Sequence, residues 1–137
     1  MSHDNLKQRT KLFALSVIRL VKLLPDDRVS RTLGTQLLRS ATSVAANYRS
    51  ANRARSTADF IAKMGIVEEE ADESAFWLDL LTESGTTTSA QTKALAQEAS
   101  ELTAIAVASI NTARTKTSAP TAARTPAPRS PLRAPRS

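Results

Sequence analysis

The chain has 137 residues, which is enough for one domain, with or without a tail, and too few for two large domains. Apolar residues make up 41% of the sequence, aromatic residues only 4%, and glycine occurs three times, so helices are favoured over a β-sandwich. The net charge is +6, cysteine is absent and the one histidine is His3, so disulfide scaffolds, thiolate catalysis, Cys-ligated zinc and Ser-His-Asp chemistry lack their usual residues.

Two amphipathic helices are predicted in the first part of the chain. Apolar residues recur at helical spacing from Asp4 to Leu24, and Pro25 ends this first helix. Asp26 and Asp27 are typical of the start of a second helix, which we expect to end near Asn52. The predicted buried faces are Leu6, Phe13, Val17, Leu20 and Leu24 on the first helix, and Val29, Leu33, Leu37, Val44, Tyr48 and Ala51 on the second.

Two more helices begin with capping boxes. Ser56-Thr57-Ala58-Asp59 opens the third helix, which continues to Gly85, and Thr88-Ser89-Ala90-Gln91 opens the fourth, which ends near Arg114. Short turns between neighbouring helices make them antiparallel, so we predict an all-α, up-down-up-down four-helix bundle over residues 1–114. The predicted buried faces are Phe60, Met64, Val67, Ala71, Ala75 and Leu78 on the third helix, and Leu95, Ala99, Leu102, Ala106, Ile110 and Ala113 on the fourth.

Residues 115–137 differ in composition from the bundle. Five of the six prolines fall in 120–135, and apolar periodicity stops, so we expect a disordered, basic C-terminal tail. A polycation of this kind raises the encounter rate with RNA or DNA; the alternative is a merely solubilising extension. The basic residues of the tail are Lys116, Arg124, Arg129, Arg133 and Arg136, with no acid among them.

Charge is distributed unevenly along the bundle. Residues 1–57 hold eleven Lys or Arg and three Asp or Glu, whereas residues 58–114 hold three and ten. The opposite charges of the two halves favour self-assembly. The first thirty residues have no signal-peptide pattern, and no apolar run approaches the ~18 residues that cross a membrane, so we expect a cytoplasmic protein without a membrane partner.

Two stretches of this sequence resemble a known family. They are Gln36-Leu-Leu-Arg-Ser-Ala-Thr-Ser-Val-Ala-Ala-Asn-Tyr-Arg-Ser-Ala51 and the block from Arg55 to Leu81 that contains Glu-Ala-Asp-Glu and Trp-Leu. Residues 6–114 are similar to four-helix-bundle proteins encoded within intervening sequences of bacterial 23S rRNA genes, also labelled S23 ribosomal proteins, and to the accessory variability protein of diversity-generating retroelements. The resemblance implies a ring, typically a homopentamer, without established enzymatic activity. For the retroelement relative it implies binding of nucleic acid and of a reverse transcriptase.

One face of the second helix is lined with arginines. At ~100° per residue, five of them lie opposite the buried face: Arg28, Arg31, Arg39, Arg49 and Arg53. Their guanidinium groups suit phosphate oxygens, and the helix is long enough to meet several backbone phosphates. The alternative is that these charges pair with acids of the third helix or of a neighbouring subunit. No aromatic residue lies on this face, so base stacking there is not expected.

The third helix is rich in carboxylates, for which electrostatic pairing is the expected role. They are Glu68, Glu69, Glu70, Asp72, Glu73, Asp79 and Glu83. A di-iron bundle needs Glu-x-x-His pairs, which are missing here, so we predict no metal site and no cofactor. Without a Gly-rich phosphate loop, cysteine or usable histidine, we also predict no catalytic residue.

The first and third helices are apolar on a second side. These predicted interface residues are Leu12, Leu15, Arg19 and Leu23 on the first helix, and Ile66, Glu69, Glu73, Trp77 and Leu80 on the third. Apolar patches commonly mark subunit contacts, and two different patches of opposite charge suit a head-to-tail interface that closes into a ring. The alternative is that both stripes are consumed within a thicker core.

The sequence therefore predicts a non-enzymatic, oligomeric helical bundle that binds nucleic acid, either structured RNA or DNA, through the arginine-lined face. The alternative function is a ring-forming scaffold that binds a protein partner, such as a reverse transcriptase, and has no nucleic-acid role.

Overall fold

The computed structural model describes residues 3–88 and 90–124, with side chains for 5–88 and 90–116. This part of the chain forms four helices and no strand: α1 (His3–Lys22), α2 (Arg28–Asn52), α3 (Thr57–Glu83) and α4 (Ala90–Arg124). The helix α3 packs broadly against α2 and α4, α1 packs against α2, and a narrow contact between α1 and α4 closes the bundle. Neither diagonal pair, α1 with α3 or α2 with α4, has Cα atoms within 8 Å of one another in the described residues. The predicted all-α, antiparallel four-helix bundle is confirmed.

Local signals place the helix ends. A carboxylate oxygen of Asp27 accepts the backbone N–H of Ser30 at 2.8 Å at the start of α2, and Ser56 Oγ accepts that of Asp59 at 3.0 Å at the start of α3. Gly85 follows α3 with φ +76°, which favours glycine, and its N–H donates to the carbonyl of Thr82. These predicted caps and the predicted stop are confirmed. In the second capping box, Ser89 lies outside the described residues.

The core follows the predicted apolar faces with one exception. The side chains of Phe13, Leu37, Met64 and Leu102 are almost completely inaccessible to solvent, and the other predicted core residues are buried or half-buried, apart from Val29. Val29 is 53% exposed. It lies in the first turn of α2, at the end of the bundle, where no neighbouring helix covers it, so its assignment to the core was wrong.

One polar contact crosses this core between α2 and α3. Ser40 Oγ and Ser74 Oγ are 2.9 Å apart and fully buried. Ser74 also lies 2.8 Å from the Glu70 carbonyl and Ser40 lies 3.2 Å from the Leu37 carbonyl, so each hydroxyl has an acceptor for its proton. The pair therefore costs little in a core that is otherwise apolar.

The helix α4 is longer than predicted. It continues to Arg124 rather than ending near Arg114. Residues 111–119 contain neither glycine nor proline, so the backbone hydrogen bonds can continue beyond Ala113, where the apolar face ends. Pro120 lies inside α4 and has no N–H to donate, so one hydrogen bond is missing in its last part. The predicted helix end was therefore wrong by ten residues. The rest of the predicted tail, residues 125–137, lies outside the described residues.

Candidate nucleic-acid interface

The five predicted arginines are all exposed; four lie on the outer side of α2, and Arg53 is the residue that follows its last turn. Arg39 is held by two carboxylates of α3, Glu70 at 3.3 Å and Glu73 in closer contact. Pairing with acids of the third helix, the alternative that the sequence left open, therefore applies to Arg39. This pairing neutralises the middle of the arginine-lined face.

The remaining four arginines lie toward the two ends of α2. Arg31 pairs with Asp26 at 2.7 Å, and that carboxylate is 91% exposed. Within the described residues, the side chains of Arg28, Arg49 and Arg53 make no ion pair and no hydrogen bond. The face is thus divided into two clusters. The first, Arg28 and Arg31, lies at the start of α2, and the second, Arg49 and Arg53, lies at its end, ~30 Å away at 1.5 Å per residue.

The second cluster is part of a larger basic surface, which we call the basic end and define as Lys7, Arg49, Arg53, Arg55 and Lys116. All five side chains are exposed. The antiparallel topology brings together the start of α1, the end of α2, the start of α3 and the later part of α4 at this end of the bundle.

An acid near the basic end is already paired, since Asp59 lies 3.7 Å from Lys63 Nζ. Sequence reasoning missed the basic end because it projected each helix separately. The signal was available, because in an up-down-up-down bundle these cations fall at one end.

Arg9 is not available to a ligand because it joins α1 to α4. Its guanidinium donates to Glu98, with oxygen distances of 2.6 and 3.0 Å, and to Glu101 at 3.1 Å. The hydrogen bonds with Glu98 raise the pKa of Arg9 above its ordinary value. Hydrogen bonds from Gln97 and then from Arg9 lower the pKa of Glu101. These hydrogen bonds lie where α1 and α4 meet along their narrow contact.

The predicted interface residues of α1 are exposed as a stripe. Leu12, Leu15 and Leu23 are among the most exposed large apolar side chains of the described residues, and Arg19 is exposed beside them. We call these four residues the α1 stripe. Lys11 flanks Leu12 on the same outer surface. The stripe therefore combines apolar and positive groups on an unpartnered helix face.

The predicted interface residues of α3 divide between surface and core. Ile66 and Glu69 are exposed, whereas Leu80 is half-buried, and Trp77 packs against the core with its Nε1 donating to Glu73 at 3.0 Å. Trp77 and Leu80 are therefore partly covered by the core of their own subunit, which was the alternative to a subunit interface. Phe76 was missed; it is 52% exposed and contacts the Trp77 ring edge-on. The exposed large apolar residues of α3 are thus Ile66 and Phe76.

No metal site or membrane span is evident in the part of the chain that the structure describes. No group of three or more His, Cys, Asp or Glu side chains there is placed to hold a metal ion. Among the same residues, no helix combines the length and apolar character needed to cross a bilayer.

The fold and these surfaces define a class, the small antiparallel four-helix bundles whose outer faces are strongly charged. The chain belongs to the 23S rRNA-intervening sequence protein family, whose model matches residues 4–108. It is also similar to a crystal structure at 1.70 Å resolution of a protein of unknown function from the S23 ribosomal protein family of Bacteroides thetaiotaomicron VPI-5482. The two chains are 33% identical with a TM-score of 0.71, and the match covers 77% of this chain and 97% of that one.

The predicted family is therefore confirmed. No curated protein matches this chain. Neither the family description nor that of the solved structure names an enzymatic activity. The similarity to the retroelement accessory protein stays a prediction.

Proposed function

We propose that this protein is a non-enzymatic helical bundle that binds nucleic acid, structured RNA or DNA, through phosphate contacts on the outer side of α2. The observation that carries the proposal is that Arg28, Arg49 and Arg53 are exposed and have no ion pair within the described residues. A free guanidinium group donates two parallel hydrogen bonds to phosphate oxygens and remains charged at all relevant pH values.

The arginines of this face contribute unequally to binding. Arg31 exchanges Asp26 for a phosphate at little cost, because ion pairs between exposed groups stabilise a protein by at most about 1 kcal/mol. Arg39 contributes least, since two α3 carboxylates compete with any phosphate. Lys7, Arg55 and Lys116 extend the contact surface beyond α2 at the basic end. Such contacts position a nucleic acid without reading its sequence.

The test is a fluorescence-anisotropy titration of an RNA hairpin and a DNA duplex across a series of salt concentrations. Log affinity should fall linearly with log salt, with a slope of about −0.9 for each phosphate neutralised on the duplex. The variant Arg49→Ala/Arg53→Ala should reduce the magnitude of this slope by about 2, since two phosphate contacts are lost.

The control is Lys93→Ala, which removes a positive charge at the opposite end of the bundle. Lys93 is exposed and lies in a groove between α3 and α4 near the start of α4, away from the basic end. The control should keep the wild-type slope. Equal losses in the two variants would contradict the assignment to α2, and absence of binding at low salt would remove the nucleic-acid function in favour of the protein-binding scaffold.

A truncation separates the bundle from the tail. Deletion of residues 125–137 is the appropriate variant, because deletion from residue 115 would also remove ten helical residues of α4. It should weaken binding through the loss of Arg129, Arg133 and Arg136. The difference between Arg49→Ala/Arg53→Ala and its control should persist in the shortened chain.

We also propose that copies of the chain assemble head-to-tail into a ring, a homopentamer by the family resemblance. The observation that favours assembly is that the α1 stripe is basic and apolar, whereas the exposed face of α3 carries Ile66 and Phe76 among acids such as Glu69. Because α1 and α3 are diagonal in the bundle, their outer faces point in different directions, so each subunit can use its two faces on two different neighbours.

Light scattering after size exclusion tests this assembly. The variants Leu12→Glu/Leu15→Glu and Phe76→Glu should each reduce the particle toward the monomer mass of 14.7 kDa, because a buried unpaired carboxylate opposes association. The control Val29→Glu places the same charge on an exposed apolar residue outside both faces and should leave the oligomer intact. Trp77→Glu is unsuitable, since Trp77 packs against the core.

Mixing the two disrupted variants tests the head-to-tail arrangement. Leu12→Glu/Leu15→Glu keeps its α3 face and Phe76→Glu keeps its α1 stripe, so an equimolar mixture should form a one-to-one dimer through the remaining intact pair of faces. A wild-type chain that is monomeric, or a mixture in which both variants stay monomeric, would contradict the proposed interface.

A further inference from the structure

A cleft of about 770 Å³ opens between the helices at the basic end. Its apolar lining includes Leu6 from α1, Ala51 from α2, Phe60 from α3 and Ile105 from α4. Its volume falls in the range of clefts that hold a ligand of drug or nucleotide size. Phe60 is half-buried and packs against the core, so the aromatic ring is held in place at the cleft.

The cleft also offers hydrogen-bonding groups that the protein does not use. Asn52, Ser109 and Thr112 line it, and within the described residues their side chains make no hydrogen bond. The Asn52 amide has both donors and an acceptor, the combination that pairs with the edge of a nucleobase. These groups can therefore orient a planar, polar-edged ligand against an apolar floor.

One cation lines the cleft, and two more are next to its lining residues in the chain. Lys116 lines it, and Arg53 and Arg55 flank the lining residues Asn52 and Ala54 in the chain. An apolar ligand would not require these cations, and a simple anion would not require an aromatic wall. A nucleotide uses both, because its base is a flat ring and its phosphate is an anion.

We propose that this cleft receives one unpaired nucleobase of a single-stranded segment, with the base stacked on Phe60 and the adjoining phosphates contacted by Arg53, Arg55 and Lys116. The inference rests on the proposed nucleic-acid function and deepens it, since phosphate contacts on α2 do not distinguish single strands from duplexes. Bases in a duplex are stacked inside the helix, so the cleft selects loops, bulges and strand ends.

Three probes of equal length test the cleft by anisotropy with the full chain. They are a single-stranded oligonucleotide, the same strand with abasic internal positions, and a blunt duplex. The strand that carries bases should bind about tenfold more tightly than the abasic strand, the gain expected from one base stacked on an aromatic side chain. Phe60→Leu keeps an apolar side chain but removes the ring, and should abolish this tenfold difference while leaving duplex affinity and salt slope unchanged.

Two further variants make the result specific. Ala108 is exposed and lines the cleft, so Ala108→Met fills the cleft without entering the core and should act like Phe60→Leu. Ala104→Met is the matched control, because it makes the same substitution at an exposed residue of α4 one turn before Ala108, outside the cleft lining, and should keep the tenfold difference.

The outcomes separate this inference from the proposed function. Equal affinity for the base-bearing and abasic strands, with salt-dependent binding retained, would overturn the cleft inference alone. Equal losses in Ala108→Met and Ala104→Met would overturn the assignment to the cleft. Absence of binding to all three probes at low salt would overturn both proposals.

Discussion

At the scale of single residues, two buried serine environments in this bundle have opposite energetic consequences. Ser30 Oγ is buried and has no hydrogen-bond partner within the described residues, whereas the Ser40 and Ser74 hydroxyls contact each other and each has a carbonyl within reach that can accept its proton. A buried hydroxyl without a partner lowers stability, and a satisfied one does not.

We predict that Ser30→Ala raises the free energy of unfolding by about 1 kcal/mol, because it removes an unsatisfied polar atom and leaves the backbone cap from Asp27 in place. The control Ser74→Ala should lower it by about 1 kcal/mol, because a satisfied hydrogen bond and some packing are lost. Urea denaturation followed by circular dichroism measures both. A destabilised Ser30→Ala variant would show that its hydroxyl has a partner after all.

Residues of the third helix show where sequence reasoning was limited. Periodicity identified Met64, Val67 and Leu78 as core, and all three are buried. It did not separate Phe76 from Trp77, because apolar residues surround much of α3 and the side that is covered depends on how α2 and α4 pack against it. The identity of the exposed aromatic residue is therefore a property of the assembled bundle.

At the scale of helices, the stabilisation that the two N-caps provide should depend differently on pH. The hydrogen bond from the backbone N–H of Ser30 lowers the pKa of Asp27 below its ordinary value of 3.8. A lowered pKa means that the folded state favours the carboxylate, so this stabilisation is present above pH 3.8 and is lost as pH falls through the lower folded-state pKa. Ser56 does not titrate, so its cap has no such dependence.

We therefore predict that Asp27→Ala lowers the melting temperature at neutral pH and that the difference from wild type disappears in acid. Ser56→Ala should cost about 1 kcal/mol at every pH in the same range. Thermal melts followed by circular dichroism from neutral pH to below pH 3.8 compare the two variants. A deficit in Asp27→Ala that is independent of pH would contradict the role of the charge.

Helix ends and helix faces were predictable to different degrees. Pro25, the cap at Ser56 and Gly85 are local signals, and each marks a helix end in the structure. The end of α4 has no such signal near Arg114, so the loss of apolar periodicity was mistaken for the end of the helix. The outward direction of Arg39 was predictable from α2 alone, but its contacts with Glu70 depend on the relative height of α3.

At the scale of the whole molecule, the net charge of +6 does not show where the positive charge lies on the surface. The basic first half of the chain does not form one continuous positive surface, because Arg39 and Arg9 are both held by acids of the second half. What remains lies in three places: at the start of α2 with Arg28 and Arg31, at the basic end, and on the α1 stripe. The topology therefore separates a proposed ligand surface from a proposed assembly surface.

The narrow contact between α1 and α4 links assembly to stability. The first helix is supported broadly by α2 alone, and the Arg9 ion pairs with Glu98 and Glu101 reinforce its other side. A second copy docked on the α1 stripe would supply the support that α4 does not. By mass action, the free energy of unfolding would then increase with protein concentration, so that the same chain would be least stable when dilute and alone.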